Sequence, residues 1–184
     1  MPDLLFGQPD DGVIQMGYVV PNLAEAMARW TADLGVGPWF TVSRFAGEEP
    51  MYRGAPATAV CDIALGFAGH MQIELIQPCD KEPSVYREML DRTGYGFHHF
   101  GLAARDMEQA MAAMSDRGYE LAFTARVPSG GRVAYFDTFG ALPGMIELLE
   151  ANAALEAQFA VMHSAACGWD GADPVRSLME LKPA

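Results

Sequence analysis

A repeated segment constrains the fold of this chain more than any other feature of its sequence. The stretch Gln15-Met-Gly-Tyr-Val-Val-Pro-Asn-Leu-Ala-Glu-Ala-Met27 aligns without gaps with His99-Phe-Gly-Leu-Ala-Ala-Arg-Asp-Met-Glu-Gln-Ala-Met111, at an offset of 84 residues (99 minus 15). Gly17 matches Gly101 in this alignment. Such internal similarity indicates that one structural unit occurs twice in the chain.

Each copy is expected to begin as a strand and to continue as a helix. A short apolar stretch favours a strand of about six residues. Asn22 or Asp106 then stands where a helix N-cap is expected. Glu25 and Gln109 follow three positions later, which is the spacing of a capping box. Apolar residues then recur at helical spacing in both copies.

Three further strand-like segments follow each predicted helix. They are residues 39–44, 58–67 and 70–78 in the first half, and 121–127, 132–138 and 145–150 in the second. Turn signals such as Ser129-Gly130-Gly131 separate them. Both halves therefore have the order β-α-β-β-β, which predicts an α+β fold built from two tandem modules, residues 13–80 and 96–150, in a single domain of residues 1–184. Either module alone would leave a sheet face bare, so the two must pack together or pair with another chain.

Two more helices are predicted outside the modules. A linker helix at 83–93 has Ser84 as its cap, and a C-terminal helix at 152–167 has Leu155, Phe159 and Met162 on one face. The tail from Gly168 is expected to be loosely ordered or to lie over a partner.

Composition and charge exclude several classes of function. The net charge of −12 repels nucleic acid and anionic membranes. No apolar run is long enough to span a bilayer, and the first residues do not resemble a signal peptide, so the expected location is the cytoplasm. The three cysteines predict neither a disulfide framework nor a zinc ribbon, and reduced thiols in or near the core are expected.

Four polar residues are predicted to share one face of the sheet. Alternation of side chains puts Gln15 and His99 opposite the large apolar residues of their strands, and Glu74 and Glu147 each stand between an Ile and a Leu. A glutamate that is buried without a partner is costly, and one divalent cation would balance both. We therefore predict a metal site formed by Gln15, Glu74, His99 and Glu147. The alternative is that the glutamates lie on a solvated sheet face, but their equivalent positions in the repeat favour the metal site.

The other three histidines are interpreted without a metal role. Alternation places His98 on the face opposite to His99, as a packing or surface residue. His70 beside a turn and His163 in the C-terminal helix have no spacing that is typical of a metal ligand.

The whole pattern resembles the vicinal oxygen chelate superfamily, which includes glyoxalase I, methylmalonyl-CoA epimerase, bleomycin-resistance proteins and extradiol dioxygenases. The resemblance covers residues 13–150. It rests on Gln15-Met-Gly-Tyr-Val-Val-Pro-Asn-Leu, Gln72-Ile-Glu-Leu, His98-His99-Phe-Gly-Leu-Ala, Gly131-Arg-Val-Ala-Tyr-Phe-Asp and Gly144-Met-Ile-Glu-Leu. It implies an open, curved mixed sheet around a metal held at the four predicted positions, where substrate oxygens replace water.

The ligand set narrows the possible reactions. Gln15 stands where many members have His, but Gln also occurs there in some glyoxalase I enzymes. One histidine with two glutamates disfavours a dioxygenase, since those relatives resemble a two-histidine, one-carboxylate iron site. Zn, Ni, Co, Mn and Mg all remain possible.

Proton transfer next to a carbonyl is the leading functional hypothesis. The expected enzyme is a glyoxalase-type lyase, isomerase or epimerase, in which the metal stabilises an enediolate. Glu147 is the expected base and Glu74 its acid/base partner. The substrate would carry adjacent oxygens, with thioesters and thiol adducts as examples. The alternative is a non-catalytic small-molecule binding protein of the bleomycin-resistance type. A homodimer is expected, and the site could lie within one chain or be shared across the dimer.

Candidates for the substrate pocket are less specific. Six aromatic residues could line it: Trp39, Phe40, Phe67, Phe123, Tyr135 and Phe139. Four arginines could hold a substrate carboxylate, phosphate or thioester tail, although at least two are expected to be ordinary surface residues: Arg44, Arg53, Arg126 and Arg132. The Gly- and Pro-containing loop at 45–56 is a candidate lid.

Overall fold

The chain forms one large sheet flanked by helices, as seen in a computed structural model that describes residues 3–10, 12–128 and 130–181. The strands are β1 Val13–Val19, β2 Trp39–Phe45, β3 Glu48–Tyr52, β4 Ala55–Pro56, β5 Cys61–Ala68, β6 Met71–Pro78, β7 Gly96–Ala104, β8 Glu120–Arg126, β9 Arg132–Asp137, β10 Met145–Glu150 and β11 Val175–Ser177. The helices are α1 Leu23–Leu34, α2 Val85–Thr93, α3 Met107–Asp116 and α4 Ala153–Ala166, and a 3-10 turn spans Leu178–Glu180. Ser129, in the turn expected between β8 and β9, lies outside the described residues.

The order of strands shows the repeat directly. It runs β11-β2-β5-β6-β1-β7-β10-β9-β8-β3-β4, so the order β2-β5-β6-β1 is mirrored by β7-β10-β9-β8. The two halves meet where β1 pairs antiparallel with β7, and each of these strands pairs in parallel with the closing strand of its own half. The predicted α+β class with an open mixed sheet is confirmed. The division into modules at 13–80 and 96–150 stays a prediction.

The helix caps follow the sequence pattern. The Glu25 N–H donates to Asn22 Oδ1 at 3.0 Å, and the Gln109 N–H donates to Asp106 Oδ1, also at 3.0 Å. Helix α1 ends at Gly35, whose φ of 68° lies in the left-handed region that glycine adopts at little cost. In the described part of the chain, no helix is long and apolar enough to cross a membrane.

Helices α1 and α3 cover the convex face of the sheet, one on each half. The core under α1 contains Leu23, Met27, Ile73 and Leu75, and the core under α3 contains Met107, Met114, Ile146 and Leu148. A third and larger core lies on the concave side, where α4 contributes Leu155, Phe159 and Met162. The predicted burial of one face of each helix is therefore confirmed.

The segment between β2 and β3 spans the opening of the curved sheet. These strands lie toward opposite ends of the strand order, yet only Ala46 and Gly47 separate them in the chain. Three Cα–Cα steps reach at most about 11 Å, so the sheet must curve until its ends nearly meet. A Cβ on Gly47 would come within 2.7 Å of the Ala125 Cβ on β8. Most of the segment 45–56 forms β3 and β4, and Phe45 and Ala46 line the cavity, so the role as a lid stays a prediction.

The C-terminal tail also differs from expectation. Strand β11 pairs in parallel with β2, and Leu178 and Leu181 pack against the concave core. The tail is therefore ordered on its own chain as far as Leu181, where the expectation was loose order or contact with a partner.

The three cysteines are free thiols, as expected. Cys61 is buried and Cys79 is half-buried, but Cys167 is exposed rather than near the core.

Arg53 ties the β3–β4 hairpin to the rest of the fold. Its guanidinium lies 2.7 Å from carboxylate oxygens of Glu88 on α2, Glu120 on β8 and Asp137 on β9. Asp137 is buried, so it depends on this partner for much of its charge balance.

Replacing Arg53 should weaken the fold measurably. We expect Arg53→Met to lower the free energy of unfolding by about 2 kcal/mol, because it leaves a buried carboxylate short of a partner. The matched control is Arg126→Met, which removes only a 3.6 Å ion pair with the exposed Glu49 and should cost less than about 0.5 kcal/mol. Urea denaturation of both variants measures the difference, and equal losses would contradict the role given to Arg53.

Candidate metal centre

A first row of side chains crosses the centre of the sheet from β6 through β1 to β7. Gly17 pairs with Glu74 on one side and with His99 on the other. A Cβ on Gly17 would collide with the imidazole of His99. The His99 ring therefore occupies space that only a glycine leaves free.

A second row lies beside the first and has the inverse arrangement. Gly101 pairs with Gln15 on one side and with Glu147 on the other. A Cβ on Gly101 would come within 2.7 Å of Gln15 Oε1. The two glycines that match in the repeat thus make room for the two polar residues that match in the repeat.

The four predicted residues converge on one point within a single chain. His99 Nε2 lies 3.2 Å from Glu74 Oε2, 3.1 Å from Glu147 Oε2 and 3.3 Å from Gln15 Oε1. All four side chains are buried. Ligand atoms of Glu74, His99 and Glu147 lie within 4.8 Å of one another, which is close enough for one metal ion.

The donor set fits a cation better than it fits hydrogen bonding alone. His99 Nε2 can carry only one hydrogen, yet three oxygens surround it. Glu74 Oε2 and Glu147 Oε2 are buried and have no hydrogen-bond partner. Buried unpaired carboxylate oxygens are costly, and a divalent ion would satisfy both. Three oxygens and one nitrogen suit Zn, Ni, Co, Mn or Mg.

Burial and mutual charge perturb the acids and the base of this site. Burial raises the pKa of Glu74, and the nearby Glu147 carboxylate adds to this against the opposing effect of His99. For His99, burial disfavours the charged ring, but the two carboxylates outweigh it and raise its pKa to about 9. Both shifts show that the neighbouring carboxylates favour positive charge at this point, which either a proton or a metal ion can supply.

Gln72 orients Gln15 and was missed by the sequence analysis. The Gln15 amide Nε2–H donates to Gln72 Oε1 at 2.8 Å, which turns Gln15 Oε1 toward His99. Gln72 lies two residues before Glu74 on β6, so strand alternation would have placed it on the same face.

The predicted position of His98 is wrong, because β7 is bulged at this residue. Gly17 pairs with His99 but Tyr18 pairs with Phe97, which leaves His98 as an extra residue in the strand. Strict alternation fails there, and His98 lies against His99 with their Nδ1 atoms 2.9 Å apart. His98 is fully buried, so it is not a surface residue.

Val85 determines which nitrogens of the two histidines carry hydrogen. Its carbonyl can only accept, so the His98 Nε2 at 3.2 Å must be the donor. His98 Nδ1 then accepts from His99 Nδ1–H, so His99 Nε2 is the atom that faces the carboxylates and can hold either a proton or a metal ion there. Burial and the charge on His99 lower the pKa of His98 to about 3, in keeping with a neutral ring.

An open-mouthed cavity of about 120 Å³ is lined by three of the four residues, Gln15, Glu74 and Glu147, and not by His99. Of the six aromatic candidates, Phe123 and Tyr135 line it. Trp39, Phe40 and Phe67 are buried core residues, and Phe139 is largely exposed.

Tyr86 on the linker helix α2 also lines the cavity and was missed by the sequence analysis. Its hydroxyl lies 3.4 Å from the hydroxyl of Tyr135. Burial raises the pKa of both phenols well above the usual value, so both are neutral hydrogen-bond donors. No strand periodicity applies to a helix, and nothing in the sequence marks Tyr86 as a residue of the site.

Comparison with known proteins agrees with this geometry. A sequence model of the glyoxalase/bleomycin resistance protein/dioxygenase superfamily matches residues 14–136, which is well over half of the chain. The chain belongs to this superfamily. The resemblance inferred from the repeat is therefore confirmed. No curated protein matches the chain significantly.

Several solved structures share this fold at low sequence identity. Methylmalonyl-CoA epimerase from Mycobacterium tuberculosis is 22% identical with a TM-score of 0.57, over 79% of this chain and 91% of that one. A hypothetical protein from Bacillus halodurans C-125 is 16% identical with a TM-score of 0.58, over 78% and 96%. A Streptomyces coelicolor methylmalonyl-CoA epimerase variant, in complex with 2-nitronate-propionyl-CoA, is 16% identical with a TM-score of 0.55, over 79% and 98%.

Filling the space beside His99 should disrupt the centre. We expect Gly17→Ala to lower the free energy of unfolding by at least about 2 kcal/mol, because the added methyl group overlaps the imidazole. Gly12→Ala is the control, since a Cβ there meets only the Pro9 carbonyl oxygen at 3.7 Å. Urea denaturation compares the two, and a Gly17→Ala protein as stable as the control would show that His99 does not need this space.

Removing the hydrogen bond to His99 should weaken any metal binding without removing a ligand. His98→Phe leaves the His99 Nδ1–H and the Val85 carbonyl unpaired, and we expect a 10- to 100-fold loss of divalent-metal affinity. His98→Gln retains a donor and an acceptor, so part of the metal affinity lost in His98→Phe should return. Calorimetric titration with Zn²⁺ and Mn²⁺ measures both, and wild-type affinity in His98→Phe would rule out an orienting role.

Proposed function

We propose that this chain is a divalent-metal-dependent lyase, isomerase or epimerase that removes a proton next to a carbonyl. The observation that carries the proposal is the pair of buried carboxylate oxygens around His99 Nε2 that lack hydrogen-bond partners. In this proposal Gln15, Glu74, His99 and Glu147 hold the ion. When bound, the ion would act as a Lewis acid toward the adjacent oxygens of the substrate.

The two glutamates have distinct proposed roles. Glu147 accepts the α-proton, and Glu74 serves as its acid/base partner. Both glutamates line the cavity, which places their carboxylates beside a substrate held there. The apolar cavity above them excludes water from the reacting carbon.

The neutral phenols of Tyr86 and Tyr135 support the same chemistry. Each could donate a hydrogen bond to a substrate oxygen at the cavity wall, where negative charge develops as the α-proton leaves. The epimerase among the structural neighbours that holds 2-nitronate-propionyl-CoA makes epimerisation one of the three candidate reactions and a thioester one candidate substrate.

The second candidate function is binding without catalysis, as in bleomycin-resistance proteins. The mainly apolar wall of the cavity favours it. A ligand trap would not need two carboxylates buried beside an imidazole, so retention of metal separates the two functions. A homodimer remains part of the proposal, but the four residues already meet within one chain.

Metal titration tests the centre. We expect chelator-treated protein to bind one divalent ion per chain, and His99→Ala to weaken binding at least about 100-fold because a ligand is lost. His163→Ala is the matched control, since that histidine stacks on His70 away from the site. Calorimetry with Zn²⁺, Ni²⁺, Co²⁺, Mn²⁺ and Mg²⁺ measures the affinities. If the wild-type protein binds none of these ions, the proposed enzymatic function is refuted and the proposed binding function is favoured.

Proton abstraction is tested separately by exchange with solvent deuterium. Metal-loaded protein is incubated in D₂O with 2-oxoaldehyde–thiol adducts, 2-methyl-branched acyl thioesters and α-hydroxyketones, and label at the α-carbon is followed by NMR. We expect exchange with at least one class, and a loss of roughly 10²- to 10⁴-fold in Glu147→Gln. Unchanged exchange in Glu147→Gln would exclude it as the base.

A further inference from the structure

The cavity over the proposed centre has no positively charged wall. Among the described residues that line it there is no arginine, lysine or histidine. Three carboxylates do line it, from Glu74, Asp80 and Glu147. A divalent ion would balance the two glutamates and leave Asp80 as a net negative charge.

Asp80 is held in place as a hydrogen-bond acceptor at the cavity wall. Its carboxylate accepts from the Val60 N–H and from the Glu82 N–H, both at 2.9 Å. No cationic side chain forms an ion pair with it among the described residues. Its negative charge is therefore available to repel an anion inside the cavity.

The arginines that the sequence offered for a substrate anion are engaged elsewhere. Arg53 binds three carboxylates, and Arg132 pairs with Glu108 at 2.7 Å and Glu150 at 3.2 Å. Arg126 lies 3.6 Å from Glu49. Arg44 is exposed on β2 and does not line the cavity.

The remaining wall is mainly apolar and comes from both halves of the sheet. Val42, Ile63 and Leu65 line it from the first half, and Val133 and Leu149 from the second. Such a surface favours apolar ligands and penalises a charged group that finds no partner.

We propose that the substrate is an uncharged, largely apolar molecule whose only strongly polar part is a pair of adjacent oxygens. This inference rests on the proposed function for the position of the two oxygens. It rests on the residues of the cavity wall for the uncharged and apolar character of the substrate. Phosphate- or carboxylate-bearing substrates are disfavoured in the cavity because no cation in its wall balances them and Asp80 opposes them.

Two probes of nearly equal size test the charge preference. One is 2-hydroxyacetophenone with a methyl ester at the para position, and the other is the same compound with a free carboxylate there. Both present adjacent oxygens, so only the distal charge differs. By calorimetry on metal-loaded protein we expect the ester to bind at least about tenfold more tightly. Equal binding, tighter binding of the carboxylate, or binding of neither compound would overturn the inference.

Variants of the cavity wall provide the matched test. Gln158→Lys adds a cation to the wall, and Asp80→Asn removes the opposing charge. Each should improve binding of the carboxylate relative to the ester by about fivefold or more. Ala154→Lys adds the same charge on an exposed part of α4 and should leave the ratio unchanged. If Ala154→Lys changed the ratio as much as Gln158→Lys, overall charge rather than the cavity would be responsible.

Metal content distinguishes failure of this inference from failure of the proposed function. If the protein binds no divalent ion but still prefers the ester, the enzyme is refuted and the uncharged ligand stands. If the protein binds the ion and exchanges the α-proton of the carboxylate probe at least as well as that of the ester probe, the proposed enzymatic function is supported. The inference of an uncharged substrate is then refuted.

Discussion

The buried meeting of two carboxylates and an amide oxygen around one imidazole nitrogen is the constraint on which the structure depends. These groups come from four adjacent strands, so the strand register must be correct at each pairing for them to meet. The glycines at 17 and 101 provide the lateral space, and Gln72 orients the amide of Gln15. Burial of Glu74 Oε2 and Glu147 Oε2 without hydrogen-bond partners lowers the stability of the fold. Such a costly arrangement is expected only where it serves a function.

The convergence of Gln15, Glu74, His99 and Glu147 was predictable because the repeat and strand alternation act together. Alternation alone leaves two faces for each residue, and the repeat selects the same face in both halves. The sheet face of His98 was predicted wrongly because a β-bulge breaks the period of two, and no residue type marks a bulge in advance. Tyr86 was not predicted as a cavity residue because it lies on helix α2, whose position depends on tertiary contacts. Gln72 was within reach, since it lies on the same strand face as Glu74.

The central strands and all four helices were predictable, but the edges of the sheet were not. The inner strands carry clear apolar periodicity, and the helices carry caps whose hydrogen bonds form as the pattern indicates. Strand β3 is mostly polar and exposed, and it forms because β8 and the Arg53 ion pairs hold it. Strand β11 exists because the edge of β2 offers free backbone groups. Such elements depend on distant residues and leave little local signal.

The two-residue connection formed by Ala46 and Gly47 makes the cavity a feature of a single chain. Since the chain itself joins the two ends of the curved sheet, a single chain encloses the whole chamber. Occupancy of that chamber should then be insensitive to dilution, whatever assembly the protein forms.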